Sequence, residues 1–185
     1  MYPNRERSVK KVLSFKQYSR SMRVEIKQVY RVVSFDLDIK VGDFVNPSKW
    51  EVKGELKKKI EDSLESNRPK NYPKRDKCLY VCFSKENAYE WARYKYSKKN
   101  TFYKLLTLEV TGELYWLMSD CYNQLGRIFT QKQLNDACKD YWNSMTEDKE
   151  TLVLDKGYEG LFVGEAKVVA IEYKNYMSGE SFDVE

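Results

Sequence analysis

One stretch near the C-terminus decides the reading of the fold: "YEGLFVGEAKVVAIEY", Tyr158 to Tyr173. Its apolar residues, on either side of Gly164, read as two strands. Gly164-Glu165 has the Gly-X form of a type II′ turn, so the stretch predicts a hairpin of two short strands. Three glutamates punctuate it. Glu165 falls in the expected turn and Glu172 near a strand end, both solvated positions. Glu159 stands where the first strand opens and is the candidate working acid.

The segments upstream follow the same logic. "FYKLLTLEV" and "ELYWLM" flank Thr111-Gly112 and read as consecutive strands joined by a tight turn. "QVYRVVSFDL" (Gln28 to Leu37) is a first strand, with Val29, Arg31 and Val33 on one face and Tyr30, Val32 and Ser34 on the other. From Trp50, the residues Val52, Leu56, Ile60 and Leu64 recur every four positions and predict an amphipathic helix that Gly54 weakens. "ESNRPKNYPKRDK" has two prolines and five basic residues without apolar periodicity, so it is a positively charged surface loop.

"CLYVCFS" is a short strand that runs into the helix "KENAYEWARYKY", with Ser84 as N-cap and Ala88, Trp91, Ala92 and Tyr96 as its core stripe. Thr130 and Gln133 form a capping box ahead of a helix whose stripe is Leu134, Ala137, Cys138, Tyr141 and Trp142. "TLVL" (Thr151 to Leu154) is a short strand. The order strand, helix, strand, helix, strands, helix, hairpin predicts an α+β fold with a mainly antiparallel sheet.

Length and composition restrict the function classes. The 185 residues suit one domain with a core of its own, and a hydrophobic fraction of 42% is too high for a disordered chain. No apolar run approaches a membrane span, and "MYPNRERSVKK" lacks the apolar region of a signal peptide, so a soluble, cytoplasmic protein is expected. Its four cysteines are then free thiols. The absence of histidine removes Ser-His-Asp and Cys-His catalysis and the usual imidazole metal ligands, and no metal site is expected. No Walker loop, GxGxxG, HExxH or GxSxG occurs.

Charge is unevenly placed. Residues 1–27 carry eight Lys/Arg against two acids, a net of +6, which leaves 25 basic and 26 acidic residues, net −1, in 28–185. This divides the chain into a basic N-terminal arm (1–27) and a single domain (28–185). The arm is a candidate for weak nucleic-acid binding through phosphate contacts.

The run "VYRVVS", "YPKRDKCLYVCFSKENAYEWA", "YKLLTLEVTGELYW", "DYWN" and "YEGLFVGEAKVVAIE" resembles a small bacterial and phage family defined by a domain without an assigned function. That family in turn resembles the ADP-ribosyltransferase superfamily. The resemblance covers roughly Val29 to Tyr173. It implies an ADP-ribosyltransferase-like fold of mainly antiparallel, split β-sheets with about three flanking helices, and an NAD cleft between the sheets.

In this likeness Arg31, with Tyr30 beside it in "YRVV", holds the ribose or pyrophosphate of NAD. Ser84 orders the cleft, and Arg75 of the "NYPKR" loop grips pyrophosphate. Glu159 bonds the ribose 2′-hydroxyl and stabilises the oxocarbenium-like transition state as nicotinamide leaves. Gly157 stands where arginine-modifying members carry Glu or Gln, and only Ser84 of their Ser-Thr-Ser run is present, which disfavours a protein-arginine target. The implied function is NAD-dependent transfer of ADP-ribose to a protein or nucleic-acid acceptor. The alternatives are a silent phage protein of the same fold that binds a host protein in the host cytoplasm, and a nucleic-acid binder acting through the arm.

Overall fold

Strand pairing runs on through Gly112 and Gly164, and each segment read as a hairpin is one long strand. The computed structural model describes residues 22–47, 54–96, 102–128, 130–146 and 157–175, with the side chains of 22–27 and 94–96 excepted. Its strands are β1 (Met22–Ser34), β2 (Leu79–Val81), β3 (Phe102–Met118) and β4 (Tyr158–Asn175). The helices are α1 (Glu55–Ser66), α2 (Lys85–Tyr96), α3 (Ser119–Leu125) and α4 (Gln131–Asn143), with a 3-10 turn at Arg75–Lys77. The chain is α+β.

The two glycines explain why the turns are missing. Gly112 and Gly164 stand opposite each other in the β3/β4 register. A Cβ on Gly112 would lie 2.2 Å from the Val163 carbonyl oxygen, and one on Gly164 would lie 2.3 Å from that of Thr111. Glycine here permits a close crossing of two continuing backbones. The neighbouring apolar residues keep pairing on both sides, so nothing favours a reversal.

The strands form one antiparallel sheet in the order β1-β3-β4-β2. Just after β2, Cys82 and Tyr30 of β1 exchange both backbone hydrogen bonds, at 2.7 and 2.9 Å. The two edges of the sheet therefore meet. Where split sheets were expected, the described residues form a single sheet curled back on itself, and four α-helices stand where about three were expected.

Alternation sorts the core. One sheet face gathers Val29, Val33, Leu106, Leu108, Val110 and Phe162. On the other face, Ala88 and Ala92 of α2 pack against Val32, Tyr103 and Leu105. The remaining helices bring Leu64, Leu125, Leu134 and Trp142 onto Tyr115, Leu117 and Leu161. Each fully buried leucine of this kind contributes about 1.5–3 kcal/mol of apolar transfer.

Several local expectations change. Gly54 does not weaken α1 from inside: it is the N-cap, at φ +95°, where glycine is at ease. Trp91, expected in the core with Trp116 and Trp142, is 40% exposed, while those two are buried. Both polar caps form as expected, since the Asn87 and Gln133 amides donate to Ser84 Oγ and Thr130 Oγ1. Strand pairing begins at Met22, inside the segment read as the basic arm; residues 1–21, Trp50, Val52 and "TLVL" lie outside the described residues. No helix among the described residues is long and apolar enough to cross a membrane.

Candidate functional site

Glu159 is the second residue of β4, on the side of the strand that faces the helices, and it meets a buried cation there. Arg75 begins the 3-10 turn ahead of β2 and is only 5% exposed. Its Nη1 donates to Glu159 Oε1 at 2.9 Å, and its Nε to Glu61 Oε2 of α1 at 3.3 Å. Nη1 also donates to the hydroxyl of Tyr141 of α4, which in turn donates to Glu159 Oε1 at 2.7 Å. Tyr122 of α3 donates to Glu61 Oε1 at 2.8 Å. The guanidinium carbon lies 4.8 Å from the Tyr122 ring centre, 4.9 Å from Tyr141 and 5.3 Å from Tyr80. One cation thus joins β4, α1, α3 and α4, with tyrosine faces shielding it.

The electrostatics follow from burial. Desolvation raises the Glu61 carboxyl above its ordinary value, although Arg75 and the Tyr122 hydroxyl pull the other way and Glu159 adds to the rise. Burial also raises Tyr141, with the Glu159 charge reinforcing it, so Tyr141 is a neutral hydroxyl donor at physiological pH. Among the described residues, both hydrogen bonds to Glu159 fall on Oε1. Oε2 keeps its acceptor capacity, and the residue remains partly exposed.

Beside this cluster a cleft of about 580 Å³ opens where β1, β2 and β4 approach α2 and α3. Arg31, Tyr80 and Glu159 line its sheet side, Asn87, Glu90 and Trp91 of α2 one wall, and Ser119, Asp120 and Tyr122 of α3 another. Arg31 shares its strand face with buried Val29 and Val33 and donates from Nη1 to the Tyr80 carbonyl at 2.6 Å, which fixes its course. Cys82 also lines the cleft, but burial pushes its thiol up to about 12. It is no thiolate nucleophile at neutral pH.

The residues singled out from sequence are distributed unevenly. Arg31 and Glu159 come together on the cleft. Arg75 lies behind Glu159 and does not line the cleft, its guanidinium being committed to Glu61, Glu159 and Tyr141; it borders a smaller opening with acidic Asp62, Glu65 and Asp76. Ser84 caps α2 without lining the cleft. Tyr30 bridges to Cys82 and packs against the α2 side of the core. Glu165 is exposed, while Glu172, expected to be solvated, is half-buried and ion-paired with Lys85 at 2.5 Å and Lys174 at 3.0 Å.

Glu61, Tyr122 and Tyr141 were not anticipated, since their partnership with Arg75 and Glu159 is made entirely by tertiary packing. Asn87 could have been found: the Ser84-x-x-Asn87 spacing puts its amide on the cap. Ser84 Oγ accepts from the Asn87 N–H and donates to Asn87 Oδ1, both at 3.2 Å. Asn87 is 5% exposed, and its Nδ2 has no hydrogen-bond partner among the described residues. No group of side chains suited to a metal ion occurs among the described residues.

No curated protein matches the chain. A family model does, over residues 4–175, and its description is "Protein of unknown function (DUF2441)". The chain belongs to that family.

Proposed function

We propose that the cleft binds NAD and that the protein transfers its ADP-ribose group to a protein or nucleic-acid acceptor. The observation that carries this reading is the meeting of Arg31 and Glu159, from the first and last strands, on one cleft of about 580 Å³. That is within the range of small-molecule sites, roughly 300–1,000 Å³. The donor set suits the dinucleotide: Arg31 is a fork donor for pyrophosphate, and Trp91 and Tyr158 offer aromatic surface. Glu90 and Asp120 are acidic and suit amino and hydroxyl groups, not phosphate.

In this reading Arg75 and Tyr141 fix Glu159 through Oε1, and Oε2 accepts from the ribose 2′-hydroxyl. The bond between the ribose C1′ and the nicotinamide nitrogen breaks, and its electron pair leaves with nicotinamide. The Glu159 carboxylate stabilises the cationic sugar, an electrostatic role that strengthens as charge develops. The acceptor's nucleophilic atom then bonds to C1′ and releases its proton to solvent.

The test is incubation with NAD labelled in the adenylate half, with cell lysate as acceptor source and free nicotinamide measured in parallel. Incorporation and nicotinamide release by the wild type, reduced at least about 100-fold in Glu159→Gln, are expected for loss of a group acting on transition-state charge. Equal release by wild type and Glu159→Gln sinks the reading.

A further inference from the structure

Asn87 lines the cleft and has no part in the transfer chemistry. Its Oδ1 and main-chain N–H are both engaged by Ser84, so the amide plane is fixed with Nδ2 as the remaining donor. That nitrogen is buried and has no hydrogen-bond partner among the described residues. A buried donor left unmade is costly, and a ligand acceptor that meets it regains the loss.

Two further residues share this face of α2. Glu90 and Trp91 follow at i+3 and i+4, the spacing that sets side chains side by side on a helix, and both line the cleft with Asn87. Trp91 keeps 40% of its surface exposed, so part of its aromatic face is open beside the cleft. The wall therefore combines an aromatic face, a fixed amide donor and a carboxylate acceptor.

The structure assigns this wall of α2 as a recognition surface for an amino-bearing heteroaromatic base. The ring stacks on Trp91, a ring nitrogen or carbonyl accepts from Asn87 Nδ2, and an amino group donates to Glu90. A sugar or a bare phosphate satisfies at most one of the three. The inference deepens the NAD reading, on which the choice of nucleotide probes rests, but it asks nothing of Glu159 or of transfer. Ser84 then acts as a positioning residue, through Asn87.

The experiment titrates the full chain with adenosine 5′-monophosphate, nicotinamide mononucleotide and ribose 5-phosphate, following melting temperature and tryptophan fluorescence. At least one nucleotide raises the melting temperature and quenches fluorescence, and ribose 5-phosphate binds at least about tenfold more weakly. Asn87→Ala and Asn87→Asp weaken the preferred nucleotide about tenfold and leave ribose 5-phosphate unchanged. Trp91→Leu, at an exposed position, loses the quench and serves if either Asn87 variant fails to fold. Three outcomes overturn the inference: no nucleotide binds at millimolar concentration, ribose 5-phosphate binds as tightly as both nucleotides, or the variants bind like wild type. Nucleotide binding lost in Asn87→Asp, without nicotinamide release by wild type, upholds the wall and sinks the transferase. Nicotinamide release with nucleotide affinity unchanged in Asn87→Asp does the reverse.

Discussion

Replacing Arg75 with methionine isolates the charge at the centre of the site, because the apolar stem is kept and the guanidinium is lost. Arg75 faces Glu159 at 2.9 Å and Glu61 at 3.3 Å, and all three side chains are at most 17% exposed. At an effective dielectric constant of about 20, each pair carries about 5–6 kcal/mol of gross attraction, most of it offset by desolvation of the ions. The substitution removes the attraction and leaves the desolvation, with two carboxylates facing each other. A loss of about 3–5 kcal/mol at pH 7 follows.

The pH dependence carries the sign. Glu61 is already raised by burial with Arg75 in place, and losing Arg75 raises it further. A carboxyl with a raised native value stabilises the fold fully below its unfolded value and loses that contribution as pH rises through the native one. The variant therefore regains stability on acidification relative to wild type, and Arg75→Met with Glu61→Gln and Glu159→Gln recovers most of the loss at pH 7. Urea denaturation followed by circular dichroism measures all of these. A single variant within about 1 kcal/mol of wild type at pH 7 would refute the reasoning, because the carboxylates would then have found water.

Other expectations follow from the same structure. Gly112→Ala forces a Cβ onto the Val163 carbonyl oxygen, 2.2 Å away, and lowers stability by more than about 3 kcal/mol; a melting temperature like that of wild type contradicts the crossing of β3 and β4. Ser84→Ala removes the α2 cap and costs about 1 kcal/mol in chemical denaturation, with a larger proportional effect on nucleotide binding than on melting. Burial raises Glu172, but the Lys85 and Lys174 hydrogen bonds outweigh it and hold the carboxyl below its ordinary value. Its contribution, under about 1 kcal/mol, is present above the unfolded value and lost as pH falls through the native one, so wild type and Glu172→Gln converge in stability in acid.

What was legible in the sequence follows from how local each signal is. The α4 capping box, the Ser84 cap and the Ile60/Leu64 stripe were readable because caps and helical stripes lie within a few residues of one another. The β3 and β4 turns were misread because Thr-Gly and Gly-Glu have turn chemistry, while the true constraint, Gly112 facing Gly164 across strands, is distant in sequence. Trp91 was misplaced because helical spacing gives a face but not what covers it. Arg31 and Glu159 were found as strand-borne charges, whereas Arg75 was given the wrong setting: a basic, proline-rich loop reads as solvated, and only the packing of α1, α3 and α4 encloses it.

The measurement closest to the central claim is the melting temperature of wild type and Arg31→Ala as NAD is titrated. Ligand bound to the native state stabilises it by about 2.7 kcal/mol at 100 times Kd. The account predicts a wild-type melting temperature that climbs steadily with the logarithm of NAD concentration, and an Arg31→Ala protein that is folded but responds only at concentrations at least about tenfold higher. A wild-type melting temperature that stays flat into the millimolar range, or one that climbs equally in Arg31→Ala, contradicts it.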